Sequence, residues 1–502
     1  MIAKKSWIVL LLISIAFFLG ACSKSSVDSE KKADGEGKLA VRYVMPGNAP
    51  EDQKQVEDAI NEKLEMDGLN LKYEAIYIPW DVWDQKTNLM MSTGEEFELI
   101  HIMHDQKGPN VLASSGGIVP IDEYLDEYGS NLKKSLPDWI WDSSKINGET
   151  YFLPNFWMDT AYAEGMVTMR SDLLKENNLQ PPTSTTELLD VSETLKENWP
   201  DDNKDVYIRF LKEETPAYLH TTYDTYPFTV FSDLIYIDQE GNVQSWIETD
   251  EFKNDAAFFR EAYNRKLVNP DILTEPVEVT SREEELGRFL YREGEGTNGQ
   301  ANLVKKVPGA ELDIYYLNDK EKFRPYGVRN SNGVSATTEH PEAAVQFLDW
   351  VYSSQENFDL VSYGVEDEHW ADSGENKMDL LKTNDTGSAS YTLAYWMLGN
   401  IEMSRWAADT HPEFLKTHTT VEDNAVNSIT LGFNFDATEV GVEYSNCLAE
   451  LKTSIYPIKL GLVDYEEAFP EALNKMKAAG IDKVVAEYEK QFNDWLENNN
   501  ES

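Results

Sequence analysis

An α/β fold divided into two large lobes or three domains is predicted by three observations. The N-terminal body alternates strand and helix signals, a second α/β stretch begins near Tyr151, and the chain is too long for one core. Removing the first 21 of 502 residues leaves 481, several times an ordinary domain.

The elements follow in order. Leu39–Met45 is a strand candidate, and Pro50–Met66 carries Val56, Ile60 and Leu64 at helical spacing. Leu69–Ile78 alternates apolar and polar residues at period two, which predicts a half-buried strand. Asp81–Ser92 is predicted as a helix with Asp81 as its cap, and Phe97–Met103 as a third strand. This strand-helix order implies a mostly parallel sheet with right-handed crossovers. Ligands in such sheets bind beyond the carboxyl ends of the strands, here the loops Pro46–Ala49, Pro79–Asp81 and His104–Pro109. In the second region, Met166–Arg170 leads into the helix Asp172–Asn178, and Thr183–Asn198 is a further helix. Val206–Leu211, Phe228–Tyr236 and Val243–Ile247 read as strands, and Phe252–Leu267 is amphipathic. Asp238–Asn242 lacks the spacing of a calcium loop and is predicted to be a turn. Gly333–Thr337 is a short strand, and Glu339–Tyr352 a helix with Pro341 in its first turn. The chain ends in two helices, Asp464–Ala479 and Ile481–Glu497, separated by Gly480.

The first 22 residues have the layout of an export signal. Lys4 and Lys5 precede the apolar run Trp7–Leu19, which closes on Leu19-Gly20-Ala21-Cys22. That tetrapeptide resembles a bacterial lipobox, which implies cleavage before Cys22 and a diacylglycerol on its sulfur. Ser23–Gly37 has almost no apolar residues and is predicted to be a flexible tether. The expected segments are therefore a signal peptide (1–21), a tether (22–38), a discontinuous lobe one (39–150), a region mainly of lobe two (151–330), and returning segments with a C-terminal helical region (331–502).

Charge excludes some partners. Against 44 basic residues stand 90 acidic ones, a formal charge of −46, or −48 once Lys4 and Lys5 are lost. Nucleic acid requires the opposite footprint, and anionic lipid headgroups repel such a body. Apart from the signal, no run is long enough to span a bilayer, so membrane contact is expected through the lipid alone. Cys447 is the only other cysteine, which leaves no intramolecular disulfide and suits a small buried residue.

Several separated segments together carry a family resemblance. They include Pro79-Trp80…Trp83…Gln85-Lys86…Leu89-Met90…Ser92-Thr93-Gly94-Glu95, then Arg170-Ser171-Asp172-Leu173-Leu174 with Pro181-Pro182-Thr183. Further along are Pro341-Glu342-Ala343-Ala344…Phe347-Leu348-Asp349-Trp350 and Tyr363-Gly364-Val365-Glu366. Trp396…Gly399-Asn400, Gly432-Phe433-Asn434-Phe435-Asp436 and Lys477-Ala478-Ala479-Gly480-Ile481-Asp482 complete the set. In this order they resemble the family 1 extracellular solute-binding proteins of carbohydrate ABC importers, in the large Gram-positive lipoprotein branch with an extra C-terminal domain. One departure is Asp367, where relatives usually have glycine. The resemblance implies a type II, two-lobe periplasmic-binding-protein-like fold with a helix-rich second lobe. It also implies a carbohydrate ligand, and a permease and an ATPase as partners of a monomeric subunit.

The chain has 13 Trp and 25 Tyr, and sugar sites combine aromatic faces with carboxylates and amides that accept hydroxyl hydrogens. Ligand contacts are expected from Trp80, His104 and Asp105 on lobe one. From the opposite lobe or hinge they are expected from Trp157, Asp159, Trp370 and Trp396, with Glu366 in the polar loop before Trp370. His101 and His104 lie three apart on a strand and face opposite ways, which argues against a shared metal ion. Neither a phosphate-binding glycine loop nor a nucleophile elbow nor a His-Glu-x-x-His helix occurs, so no cofactor and no catalytic residue is expected. The expected function is capture of a sugar, most simply an oligosaccharide, by lobe closure and its delivery to the permease. The alternatives are a cell-surface glycan hydrolase or lyase, whose carboxylate pair the acidic composition could supply, and a peptide or signal receptor.

Overall fold

The computed structural model describes residues 37–500 apart from 105–107, 163–164, 211–215, 295–302, 305, 385–387 and 409. Cys22 and Asp105 lie outside the described residues.

Lobe one is organised around a five-stranded sheet in the order Leu71–Ile78, Leu39–Pro46, Leu99–Met103, Asn330–Val334, Phe152–Pro154. The first three strands are parallel, as the βαβαβ pattern requires, with Leu39 opposite Leu71 and Pro46 opposite Ile78. Val56, Ile60 and Leu64 of the helix Gln53–Met66 are buried against this sheet. Helix Pro341–Val351, with proline in its first turn, closes the same core through Phe347, Leu348 and Trp350. The last two strands arrive later in the chain and run antiparallel to their neighbours. Asn330–Val334 therefore occupies a place in lobe one after the chain has visited lobe two.

Lobe two has a small antiparallel sheet. Met166–Arg170 lies buried between Arg292–Glu293 and Leu312–Tyr316. Helix Thr185–Glu197 covers it, its first turn capped by Ser184 Oγ accepting from the Glu187 amide at 3.2 Å. A third unit joins the sheet Phe228–Phe231, Ile235–Asp238, Val243–Ser245 to the C-terminal helices Gly441–Glu450, Tyr465–Ala479 and Ile481–Asn500. Gly480 separates the last two helices at φ +108°, a left-handed conformation that glycine takes without a Cβ penalty. Helix Asp250–Asn264 belongs to both cores. Phe252 and Ala256 face the third unit, and Phe259 and Ala262 face lobe two.

Several sequence expectations change. Phe228–Tyr236 is a hairpin and not one strand, because Ser232, Asp233 and Leu234 form a three-residue turn whose first two residues take φ +54° and +55°. The predicted strand Gly333–Thr337 lies at Asn330–Val334. Among the described residues, 206–210 contribute only an isolated bridge between Arg209 and Arg292, and Leu211 lies outside them. Asp81 lies within a short 3-10 turn and caps nothing; the helix begins at Trp83. Trp396 lies in a single helical turn, Tyr395–Leu398, and Trp406 in a two-residue strand, Trp406–Ala407. Asp238–Asn242 is a turn as expected, with the Asp238 carboxylate accepting from the amides of Glu240 and Asn242. Among the described residues, no helix is long and apolar enough to cross a membrane.

Candidate functional site

A cavity of about 530 Å³ opens where the three units meet. Lobe one contributes His104, at the carboxyl end of Leu99–Met103, together with Asn110 and the segment Pro325–Arg329. Lobe two contributes Phe210, Glu284, Arg292 and Glu293. The third unit supplies the hairpin turn Phe231-Ser232-Asp233, the segment Gly432-Phe433-Asn434-Phe435 and Tyr488. The volume falls within the range of small-molecule sites.

The lining suits a neutral, hydroxyl-rich ligand. Half-buried Phe231 and Phe433 offer ring faces, and Tyr326, 38% exposed, stands opposite on lobe one. Phe231 stacks on Tyr444 with ring centroids 6.4 Å apart and 18° between planes, which fixes its orientation. Phe433 is held edge-on by Tyr488 at 5.2 Å. Burial pushes the Tyr444 phenol up to about 12 and raises that of Tyr488 still further, so both remain hydrogen-bond donors at physiological pH. Charged side chains on the wall include both signs: Asp233, Glu284 and Glu293 against Arg292 and Arg329. His104 Nε2 lies 2.9 Å from Ser331 Oγ, and its ring meets Phe152 edge-on.

Behind the sheet edge runs a buried polar ladder. The Asn332 carbonyl accepts from the Tyr43 hydroxyl, and its amide donates to Asn155 Oδ1 at 3.0 Å. Asn330 Oδ1 accepts from Trp157 Nε1 at 3.0 Å, while its amide approaches His101 Nε2 at 3.2 Å. His101 thus turns toward Asn330 and Asn332, and His104 toward Ser331, the opposite faces expected of residues three apart on a strand.

The expected contact residues separate into two groups. His104 lines the cavity. Trp80 is 38% exposed at the carboxyl end of Leu71–Ile78, its ring 6.0 Å from that of half-buried Trp396, which in turn rests on His101 at 5.0 Å. The other four correct the expectation. Trp157 is interior, its ring N–H donated to Asn330 and its faces closed by Tyr395 and His418. Asp159 is 0% exposed and gripped bidentately by Arg324, Nε at 2.8 Å and Nη2 at 2.6 Å. Trp370 is buried in the lobe-one core, donating to the Gly364 carbonyl under the Arg405 guanidinium. Glu366 is exposed but sits on the turn before Trp370, off the cavity wall. In that turn Asp367 takes φ +63°, the conformation that a glycine would adopt without strain.

Sequence reasoning missed Asn110, Phe231, Asp233 and Phe433. The motif Gly432-Phe433-Asn434-Phe435 was visible, but nothing local distinguishes a lining phenylalanine from a core one. Gly432 takes φ +90° there, and an added Cβ would lie 3.7 Å from the Trp495 ring.

Comparison with known proteins agrees with this architecture. Residues 48–357 match the model of the bacterial extracellular solute-binding protein family, and residues 429–497 match a domain of unknown function, DUF3502. A Streptococcus pneumoniae protein described as a carbohydrate ABC transporter substrate-binding protein is 22% identical over 501 residues, covering 97% of each chain. A Bacillus subtilis polygalacturonan/rhamnogalacturonan-binding protein is 22% identical over 74% of each chain. In structure, the chain is similar to the N-glycan transport solute-binding protein of Streptococcus pneumoniae in complex with Man5GlcNAc. The TM-score is 0.74 at 21% identity, over 92% of this chain and 99% of that one. A human-milk-oligosaccharide-binding protein of Bifidobacterium longum infantis gives a TM-score of 0.61 at 16% identity, over 92% of this chain and 99% of that one. With a family match over more than half its length and the two-lobe α/β fold of these neighbours, the chain belongs to the bacterial extracellular solute-binding proteins.

Proposed function

We propose that this protein is the lipid-anchored binding subunit of a carbohydrate ABC importer, and that it captures an oligosaccharide between its lobes and releases it intact to a permease driven by an ATPase. The observation that carries this reading is the 530 Å³ cavity where three units converge, edged by ring faces and by hydroxyl-matching side chains. A ligand that touches several units favours the closed form by its differential affinity for it. Cys22, in its lipobox setting, is the acylation site, and two acyl chains anchor a protein durably. His104 touches the sugar at the cavity. The Trp80–Trp396 pair extends the contact surface along the same sheet edge, and Asp105, next to His104 in sequence, is a further contact. The strands ending at His104 and Trp80 flank Leu39–Pro46, two strand spacings or roughly 10 Å apart. Mixed charge on the wall favours neutral sugars over uronates.

Thermal-shift and calorimetric titration of the mature chain against neutral oligosaccharides, uronate oligomers and peptides tests this. The expected result is stabilisation by one neutral class, with the sugar recovered uncleaved by chromatography. Stabilisation by peptides alone, or recovery of shortened sugar, overturns it.

A further inference from the structure

The C-terminal residues 429–497 match a domain with no assigned function, yet they stand on the cavity wall. Their placement is built rather than incidental. Asn434 Nδ2 donates to the backbone carbonyls of Ser143 and Lys145 in lobe one, both at 2.8 Å, so the segment bearing Phe433 is fixed from its far side. Phe433 is in turn backed by Tyr488, Phe492 and Trp495, all from the last helix. The same unit grips the hairpin turn. Tyr444 Oη meets Ser232 Oγ at 2.8 Å, and Lys459 Nζ donates to Asp233 Oδ2 at 2.6 Å.

Asp233 lines the cavity, is 4% exposed and sits at φ +55°, a conformation rare for an aspartate outside such turns. Its second oxygen, Oδ1, is buried and has no hydrogen-bond partner among the described residues. A buried acceptor without a donor is destabilising, which makes Oδ1 a ready acceptor for a donor that enters the cavity. A sugar hydroxyl is such a donor, and the ring C–H face beside it matches Phe433.

We propose that residues 429–497, with the hairpin they hold, form a sugar-specificity wall in which Phe433 is the stacking face and Asp233 Oδ1 accepts a ligand hydroxyl. This rests on the carbohydrate reading above. It gives the domain of unknown function a role in choosing the ligand.

The test is calorimetry on the full mature chain with the oligosaccharide class that stabilises it. Phe433→Ala is expected to weaken the Kd by about tenfold or more, and Phe433→Trp to restore it. Asp233→Asn is expected to weaken it by about tenfold and to shift preference among sugars that differ at one hydroxyl. Circular dichroism and melting without sugar establish that each variant folds. If the wild-type chain binds and both Phe433→Ala and Asp233→Asn keep its Kd and its preferences, the wall is overturned and the sugar reading survives. If the wild-type chain binds no oligosaccharide, the sugar reading fails and the wall fails with it.

Discussion

Asp159 and Asp233 are both buried aspartates in ion pairs, and their unused valences set them apart. Asp159 has none. Oδ1 accepts from Arg324 Nε and the Ala161 amide, and Oδ2 from Arg324 Nη2 and the Glu422 amide, at 2.6–3.1 Å. The guanidinium also donates to the Glu422 carbonyl and lies over the Trp139 ring. Three crossing segments, around residues 159, 324 and 422, are thereby tied at one point. Among the described residues, Asp233 receives only Lys459 and keeps one oxygen without a donor. A carboxylate whose lone pairs are all engaged within the chain does structural work, and one with a buried lone pair to spare is placed to meet something else.

The largest effect that separates the two is stability. Arg324→Met strands the Asp159 carboxylate in the interior and is expected to cost about 3–5 kcal/mol, read as a lower urea midpoint. If that variant melts like the wild type, the crossing point does not hold the fold and the contrast with Asp233 is lost. A smaller effect is expected at Trp157. Trp157→Phe removes one hydrogen bond to Asn330 and leaves a small void, costing about 1–3 kcal/mol with sugar affinity unchanged. A changed Kd there would return Trp157 to the ligand surface and blur the division between interior and wall. The smallest effect concerns acid. Hydrogen bonds from Lys63 and then from the Trp350 indole hold the Asp67 carboxyl below its usual range. A group depressed in the folded state contributes its stability above the ordinary value, about 4, and that contribution is lost as pH falls through the folded value. Melting temperature should therefore drop on acidification below pH of about 4, and Trp350→Phe should make this drop shallower. A drop of equal size in that variant would show that the indole bond adds nothing at this surface.

Much of lobe one was legible because its signals are local. Period-two alternation placed Leu71–Ile78, and 3.6-residue spacing placed Val56, Ile60 and Leu64 on a buried face. The run Asn330-Ser331-Asn332-Gly333 was not legible as strand, because its composition is that of a turn. It is a strand in the fold because Tyr43, His101 and Asn155 satisfy its amides from far along the chain. Tryptophan was a poor guide to the site for a related reason. Trp157 sits in an irregular segment and Trp370 opens a short strand after a polar turn, places where the sequence suggests exposure, yet each donates its ring N–H to a partner within the protein. The spare oxygen of Asp233 was invisible for the same cause: only the folded chain shows which lone pairs remain unused.

The helix Asp250–Asn264 has a mechanical consequence. One rigid rod contributes Phe252 and Ala256 to one interior and Phe259 and Ala262 to another, and Arg260 clamps the carbonyl of Gly461 beside it at 2.9 Å. The tail of the chain and the second lobe therefore share one continuous rod. The first lobe meets them through the polar contacts of Asn434 and Asn147, whose bonds water can replace, and through Val111 packed on the C-terminal core. Two of the three walls, in consequence, hang from one beam.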